Sequence, residues 1–284
     1  MKKFGYFLLM FVPFILAEAL QFVASFYSMG MGGIICLLQG RNSSKSFSSL
    51  FLEILTDTDF NGMLMIIYSL FAICIFGLWY YIKYEADYLP LKRHKLTSNH
   101  MISLAGIVLL VPGAQFGSSL ICALILYINP DTFKQYEDLM ENAGISNEMS
   151  LILFIYSVIL APIGEELIYR GVTFSIAKQV FPFWLANIIQ ALLFGAYHMN
   201  LVQGCYAFAL GLILGYVCHK GKSIYFSIFL HFLFNLWAAV VSPLLGDFNT
   251  LLLGLIIIGG TIFSLIGGFM LFCFGINQTK KPSW

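Results

Sequence analysis

Six residues in the second half of this 284-residue chain have types and spacings that could do chemistry. Glu165, Glu166 and Arg170 read E-E-x-x-x-R, Phe194 leads into His198 as F-x-x-x-H, and His231 leads into Asn235 as H-x-x-x-N. A spacing of four puts side chains on one face of an α-helix. Glu166 and Arg170 are thereby expected to neutralise each other, in the favoured acid-first order. Glu165 is turned about 100° away from that pair, and its own i+4 neighbour, Tyr169, offers a hydrogen bond but no positive charge. A buried carboxylate and a neutral imidazole can share a water and remove its proton. A second imidazole and an amide can hydrogen-bond the oxyanion that forms when that water attacks a carbonyl. These groups together would suit hydrolysis of a peptide bond.

The elements that must position them are apolar. Hydrophobic residues make up 60% of the chain, charged residues 10%, and the mean hydropathy is +0.86, the composition of a membrane protein. Runs long enough to cross about 30 Å of hydrocarbon as helices begin near residues 4, 62, 101, 149, 183, 203, 222 and 251. They predict an all-α polytopic membrane protein with about eight transmembrane helices enclosing an intramembrane catalytic cavity. The strict alternation of a β-barrel is absent from these runs. One transmembrane domain over 1–284 accounts for the chain, with a catalytic core over 149–242. In such spans an ionisable side chain costs roughly 2.5–3.5 kcal/mol on insertion scales, so each needs a reason. One reason is structural: Glu165, Glu166 and Arg170 could form a single ion-pair cluster with no chemistry.

Basic residues predict the orientation. With the N-terminus cytoplasmic and each run crossing, only Arg41, Lys45 and Lys134 of the fifteen Lys and Arg fall outside. Both termini are then cytoplasmic, and the acidic segment 131–148 reads as a short amphipathic helix on the outer face. The compact loops and short chain fit a bacterial plasma membrane. At a net charge of +1, no basic stripe suggests nucleic acid. The start, with two lysines, an apolar core and Ala17-Glu18-Ala19, resembles a secretory signal, but the apolar run continues to Leu38 and reads as a retained first helix. Asn42-Ser43-Ser44 would accept a glycan only in a eukaryotic host. The six cysteines lie in or beside apolar runs without C-x-x-C spacing and read as packing residues. Gly211 and Gly215 read as a close helix contact. Glu18 with Gln21 could line the cavity, but a protonated or internally bonded carboxylate is the favoured expectation.

The three motifs, each on its own span and in this order, resemble those of the CPBP intramembrane proteases, the family of CAAX prenyl endopeptidases and bacteriocin-processing enzymes also called Abi proteins. The resemblance covers about residues 149–242. It implies endoproteolysis of a membrane-associated peptide or protein, such as a CAAX-type tail, a bacteriocin leader or a signalling-peptide precursor. Carried over by position, it makes Glu165 and His198 the groups that activate water, His231 and Asn235 the oxyanion site, and Glu166 and Arg170 the supporting pair. The family is commonly labelled metalloprotease, and one Glu with two His is a legitimate zinc set. Zinc would occupy Glu165, His198 and His231 and leave only Glu166 as a base, so a metal-free, glutamate-dependent reaction is the favoured expectation. Two other classes stay open: a non-proteolytic peptide-binding or self-immunity protein on the same fold, and a proton-coupled transporter.

Straight spans would set His198 about 24 Å deep and His231 about 13 Å deep, too far apart for one site. The sixth run, Gly204 to Cys218, is too short to cross unaided. The fifth and sixth helices are therefore expected to form a short hairpin, its polar tip over Met199 to Gly204 stopping inside the protein. A motif helix continuing through Arg170 toward Lys178 would set the hairpin's base.

Overall fold

The computed structural model describes residues 2–40, 45–88, 98–145, 149–242 and 251–279. Arg41, Lys92, Arg93, Lys95, Lys280 and Lys281, which contribute to the charge bias, and Asn42-Ser43-Ser44 lie outside them. Every element among the described residues is helical: α1 (Lys2–Leu9), α2 (Val12–Gln39), α3 (Phe47–Thr56), α4 (Thr58–Tyr88), α5 (Ser98–Ile128), α6 (Pro130–Asn142), α7 (Leu151–Ala177), α8 (Phe183–Tyr197), α9 (Leu201–Gly221), α10 (Ile224–Val241) and α11 (Leu251–Thr279). Among the described residues seven segments are long and apolar enough to cross a membrane, with α1 and α2 counted together as Lys2–Gln39. The chain is a multi-pass membrane protein.

The fifth of the eight apolar runs is the one that falls short. Helix α8 has 15 residues, about 22 Å, whereas α9 has 21, about 31 Å. This corrects the expectation that the sixth run is the short one. Polar residues extend α9 at both ends: Asn200 caps its start by accepting from the Gln203 N–H at 2.8 Å. Lys222, in the left-handed conformation at φ 51°, closes its end with bonds to the Cys218 and His219 carbonyls. The hairpin itself is present. Met199 turns the chain at φ 54°, and α8 and α9 run back against each other. Contact is close because Gly195 faces the Gly204 carbonyl, where a Cβ on Gly195 would sit 2.6 Å from that oxygen. The predicted G-x-x-x-G contact is also there, with Gly211 against Ala191 and Gly215 against Asn187 of α8.

Helix α7 runs unbroken from Leu151 to Ala177, as the motif helix was expected to, but widens into π-helical turns at Ile155–Leu160 and Leu167–Thr173. Pro162 has no N–H to return to the preceding turn, and the Ala161 N–H bonds Tyr156 O, five residues back. The Ser157 carbonyl is thereby left for another partner. Helices α5 and α11 pack along their length, and Ser264 mends the ladder around Pro112 by accepting from the Gly113 N–H at 2.8 Å and donating to Leu109 O. Helix α6 starts at a capped Asn129-Pro130 and lies beside the N-terminal part of α9, where Tyr136 and Tyr206 hydroxyls meet at 3.4 Å. The His219 ring packs on Phe174 and stacks on Phe183 at 4.2 Å. Lys178, Lys220 and Lys222 thus gather at the end of the bundle opposite acidic α6.

Candidate active site

The motif on α7 is buried: Glu166 is 0% exposed, Arg170 1% and Glu165 9%. Arg170 Nη1 donates to Glu166 Oε1 at 2.8 Å, the expected i,i+4 pair. Nη2 donates to the Gly211 carbonyl of α9 at 3.3 Å, and the guanidinium lies 4.4 Å over the Phe194 ring. Gln190 of α8 donates to the same Gly211 carbonyl at 2.9 Å and to Asn187. A buried ion pair is stable only where further hydrogen bonds complete it, and α8 and α9 supply them.

Glu166 does more than neutralise Arg170. Its Oε1 also meets His231 Nδ1 at 2.9 Å. A carboxylate held ionised by a guanidinium accepts only, so the proton of this bond belongs to Nδ1. Nε2 is thereby turned toward Glu165, whose Oε2 stands 3.6 Å away, beyond direct hydrogen-bond length. In its neutral form this imidazole accepts at Nε2, so the oxyanion role that the resemblance implies for His231 requires the imidazolium. Tyr169 does not serve Glu165 as its spacing suggested, because its buried hydroxyl has no partner among the described residues. It packs on Phe194 and Tyr197 instead.

Asn235, one turn beyond His231, donates its amide to Ser157 O at 2.8 Å, the carbonyl released by the first π-helical turn of α7. The carbonyl just before Asn235, Phe234 O, accepts from Gln115 of α5 at 2.5 Å, shortly before α10 itself turns π-helical at Trp237–Val241. His198 ends α8, half-buried, its ring edge-on to Phe194 at 5.2 Å, while the His231 ring meets Phe194 at 5.7 Å. Phe194 thus holds both imidazoles and the guanidinium in place.

Glu165, His198, His231 and Asn235 all line one cavity of about 720 Å³, within the usual range for a small-molecule or peptide site. The level mismatch of straight spans is removed by the hairpin. Its tip belongs to the cavity wall through Met199 and Gln203 and is not enclosed by protein, since Met199 is 79% exposed. Gln21 also reaches this cavity, while Glu18 Oε1 is buried without a partner among the described residues. Among the described residues no three of His, Cys, Asp and Glu stand together as a group that could hold a metal ion, and the Glu166 bond to His231 Nδ1 leaves Nε2 free. The described cysteines form no disulfide.

Several residues that build the site were not singled out in the sequence. Tyr156 lines the cavity beside Glu165, and Tyr68 and Tyr197 share a buried 2.6 Å hydrogen bond next to it. Gln115, Asn187 and Gln190 brace the motif helices. The signal for the last three was present, since each is an amide inside an apolar run and as such needs a buried partner.

Comparison with known proteins agrees with the motifs. Residues 147–237, the segment that carries all three motifs, match the model of the family described as Type II CAAX prenyl endopeptidase Rce1-like. The Bacillus subtilis (strain 168) protein described as "Putative membrane peptidase YdiL" is 28% identical over 90 residues, 32% of this chain. The chain spans 37% of the length of that curated relative. No solved structure matches.

Proposed function

We propose that this chain is an intramembrane endopeptidase that hydrolyses a peptide bond of a membrane-associated peptide or protein with water activated by Glu165 and His198. The observation that carries the reading is the convergence of Glu165, His198, His231 and Asn235 on one cavity, with His231 anchored by the Arg170-backed Glu166.

Charge balance suggests the resting state. Arg170 and Glu166 cancel, and a buried cluster is cheapest when neutral. The Glu165 and His231 pair is then neutral overall with one proton between them. With that proton on His231 Nε2, Glu165 is the base. Water positioned by His198 loses a proton to Glu165 as its oxygen bonds the carbonyl carbon. The oxyanion accepts from His231 Nε2–H and from the remaining amide hydrogen of Asn235. Glu165 then returns its proton to the departing nitrogen as the C–N bond breaks, which leaves the two products and the starting enzyme.

The site is proposed to lie in a bacterial plasma membrane with both termini cytoplasmic. Purified protein incubated with membrane-embedded test peptides, alongside Glu165→Gln, separates the classes. Fragments detected by mass spectrometry with wild type and lost in the variant are expected. Peptide bound but never cut would favour the non-proteolytic reading, and solute uptake by proteoliposomes would favour a transporter.

A further inference from the structure

Glu165 borders two spaces. One is the cavity of about 720 Å³, and the other is a recess of about 10 Å³ between α4, α7 and α8, walled by Tyr68, Tyr156, Gly164 and Tyr197. That volume is about what one water needs, and a buried water also needs two to four polar partners. The recess offers the Glu165 carboxylate, the Tyr156 hydroxyl, and the Tyr68 and Tyr197 hydroxyls bonded to each other at 2.6 Å. Whichever hydroxyl accepts within that pair keeps its own hydrogen to donate.

Glu165 lacks the support its neighbour has. Glu166 is held by Arg170 and His231. Among the described residues the Glu165 carboxylate meets one polar group, His231 Nε2, at 3.6 Å, beyond direct hydrogen-bond length. An ionised carboxylate away from bulk water is costly unless donors hold it, and a base left loose loses its alignment with the reacting atoms. Resting on the proteolytic reading above, we infer that the recess binds one ordered water, which accepts from the Tyr68–Tyr197 pair and donates to the Glu165 carboxylate. Tyr68 and Tyr197 are then positioning residues. They act on Glu165 through this water, from the side away from the substrate, and keep Oε2 turned toward His231 Nε2.

Gly164 allows the water to be displaced without disturbing the packing. A Cβ added there would have one neighbour within 4 Å, Ile73 Cγ1 at 3.8 Å, an ordinary contact, and alanine is a better helix residue than glycine. Gly164→Ala is therefore expected to melt no lower than wild type while its methyl takes the water's room. Tyr68→Phe removes a hydroxyl from the pair. Neither Gly164 nor Tyr68 lines the larger cavity. In the purified full chain with membrane-embedded test peptides, each change is expected to lower kcat at least about tenfold and to leave KM nearly unchanged. A second readout needs no turnover. The infrared C=O band of protonated Glu165, taken at low pH without peptide as the difference from Glu165→Gln, is expected to rise in frequency in both variants as the carboxyl loses a donor. A band shift in protein that cleaves nothing upholds the water and defeats the proteolytic reading alone. Cleavage with an unmoved band overturns the inference and leaves that reading standing, and so does a shifted band with kcat as in wild type.

Discussion

Two adjacent glutamates differ here by what lies behind them. Glu166 is closed in by Arg170 and His231, whereas Glu165 faces the cavity with a long approach to Nε2. Glu165→Gln, His198→Ala and His231→Ala are each expected to lower cleavage by about 10²-fold or more, with thermal unfolding in detergent close to wild type. Glu166→Ala or Arg170→Ala strands a buried charge, and each is expected to cost about 3–5 kcal/mol and reduce the yield of folded protein. The double variant Glu166→Gln with Arg170→Met should recover much of that stability yet stay slow, because His231 loses the carboxylate that orients Nδ1. A folded, inert Glu166→Ala beside an unfolded Glu165→Gln would reverse the assignment. Because the proposed reaction needs no metal, active enzyme is expected to hold well under one zinc per chain and to survive chelation. Zinc whose removal and return switched activity off and on would defeat that expectation.

Elements set the reach of these side chains. The first π-helical turn of α7 frees Ser157 O, and Asn235 occupies it. Asn235→Ala leaves that carbonyl unsatisfied and is expected to cost about 1–3 kcal/mol in addition to slowing cleavage, which a denaturation series and initial rates would separate. Asn235→Gln, if it restored stability without activity, would locate the catalytic part of the role in the amide's position. The α8–α9 hairpin depends on Gly195 meeting Gly204. Gly195→Leu must force the helices apart, and a loss of about 1–3 kcal/mol is expected, together with loss of activity as His198 leaves the cavity wall. An unaltered melting temperature would show that the close approach is dispensable.

For the whole molecule, the arrangement is a membrane bundle with acidic α6 at one end and the lysines of α7 and α9 at the other. Under the cytoplasmic-end rule for basic residues, Asp138→Cys is expected to react with an impermeant thiol reagent from the outer side and Lys220→Cys only after the membrane is opened. The opposite accessibility would invert the protein in the bilayer and place the cavity mouth on the cytoplasmic side. Native cysteines would first be replaced, since Cys74 is exposed.

Much of this was legible in one dimension. Helical class and the number of apolar runs follow from hydropathy, because a bilayer leaves helices little alternative. The Glu166–Arg170 pair follows from the four-residue period of a helix, and the three motifs single out the residues that meet. What the tertiary structure alone decided are relations between helices. That His231 leans on Glu166, that Asn235 takes a carbonyl released by a π-helical turn, and that α8 rather than α9 is the short arm each depend on a partner far away in sequence or on a cap at a helix end. Hydropathy windows register neither the polar residues that lengthen α9 nor a widened turn within an apolar run. Local period determines which side chains share a face, but which faces converge is set by packing, and the shared cavity of Glu165, His198 and His231 is a product of that packing.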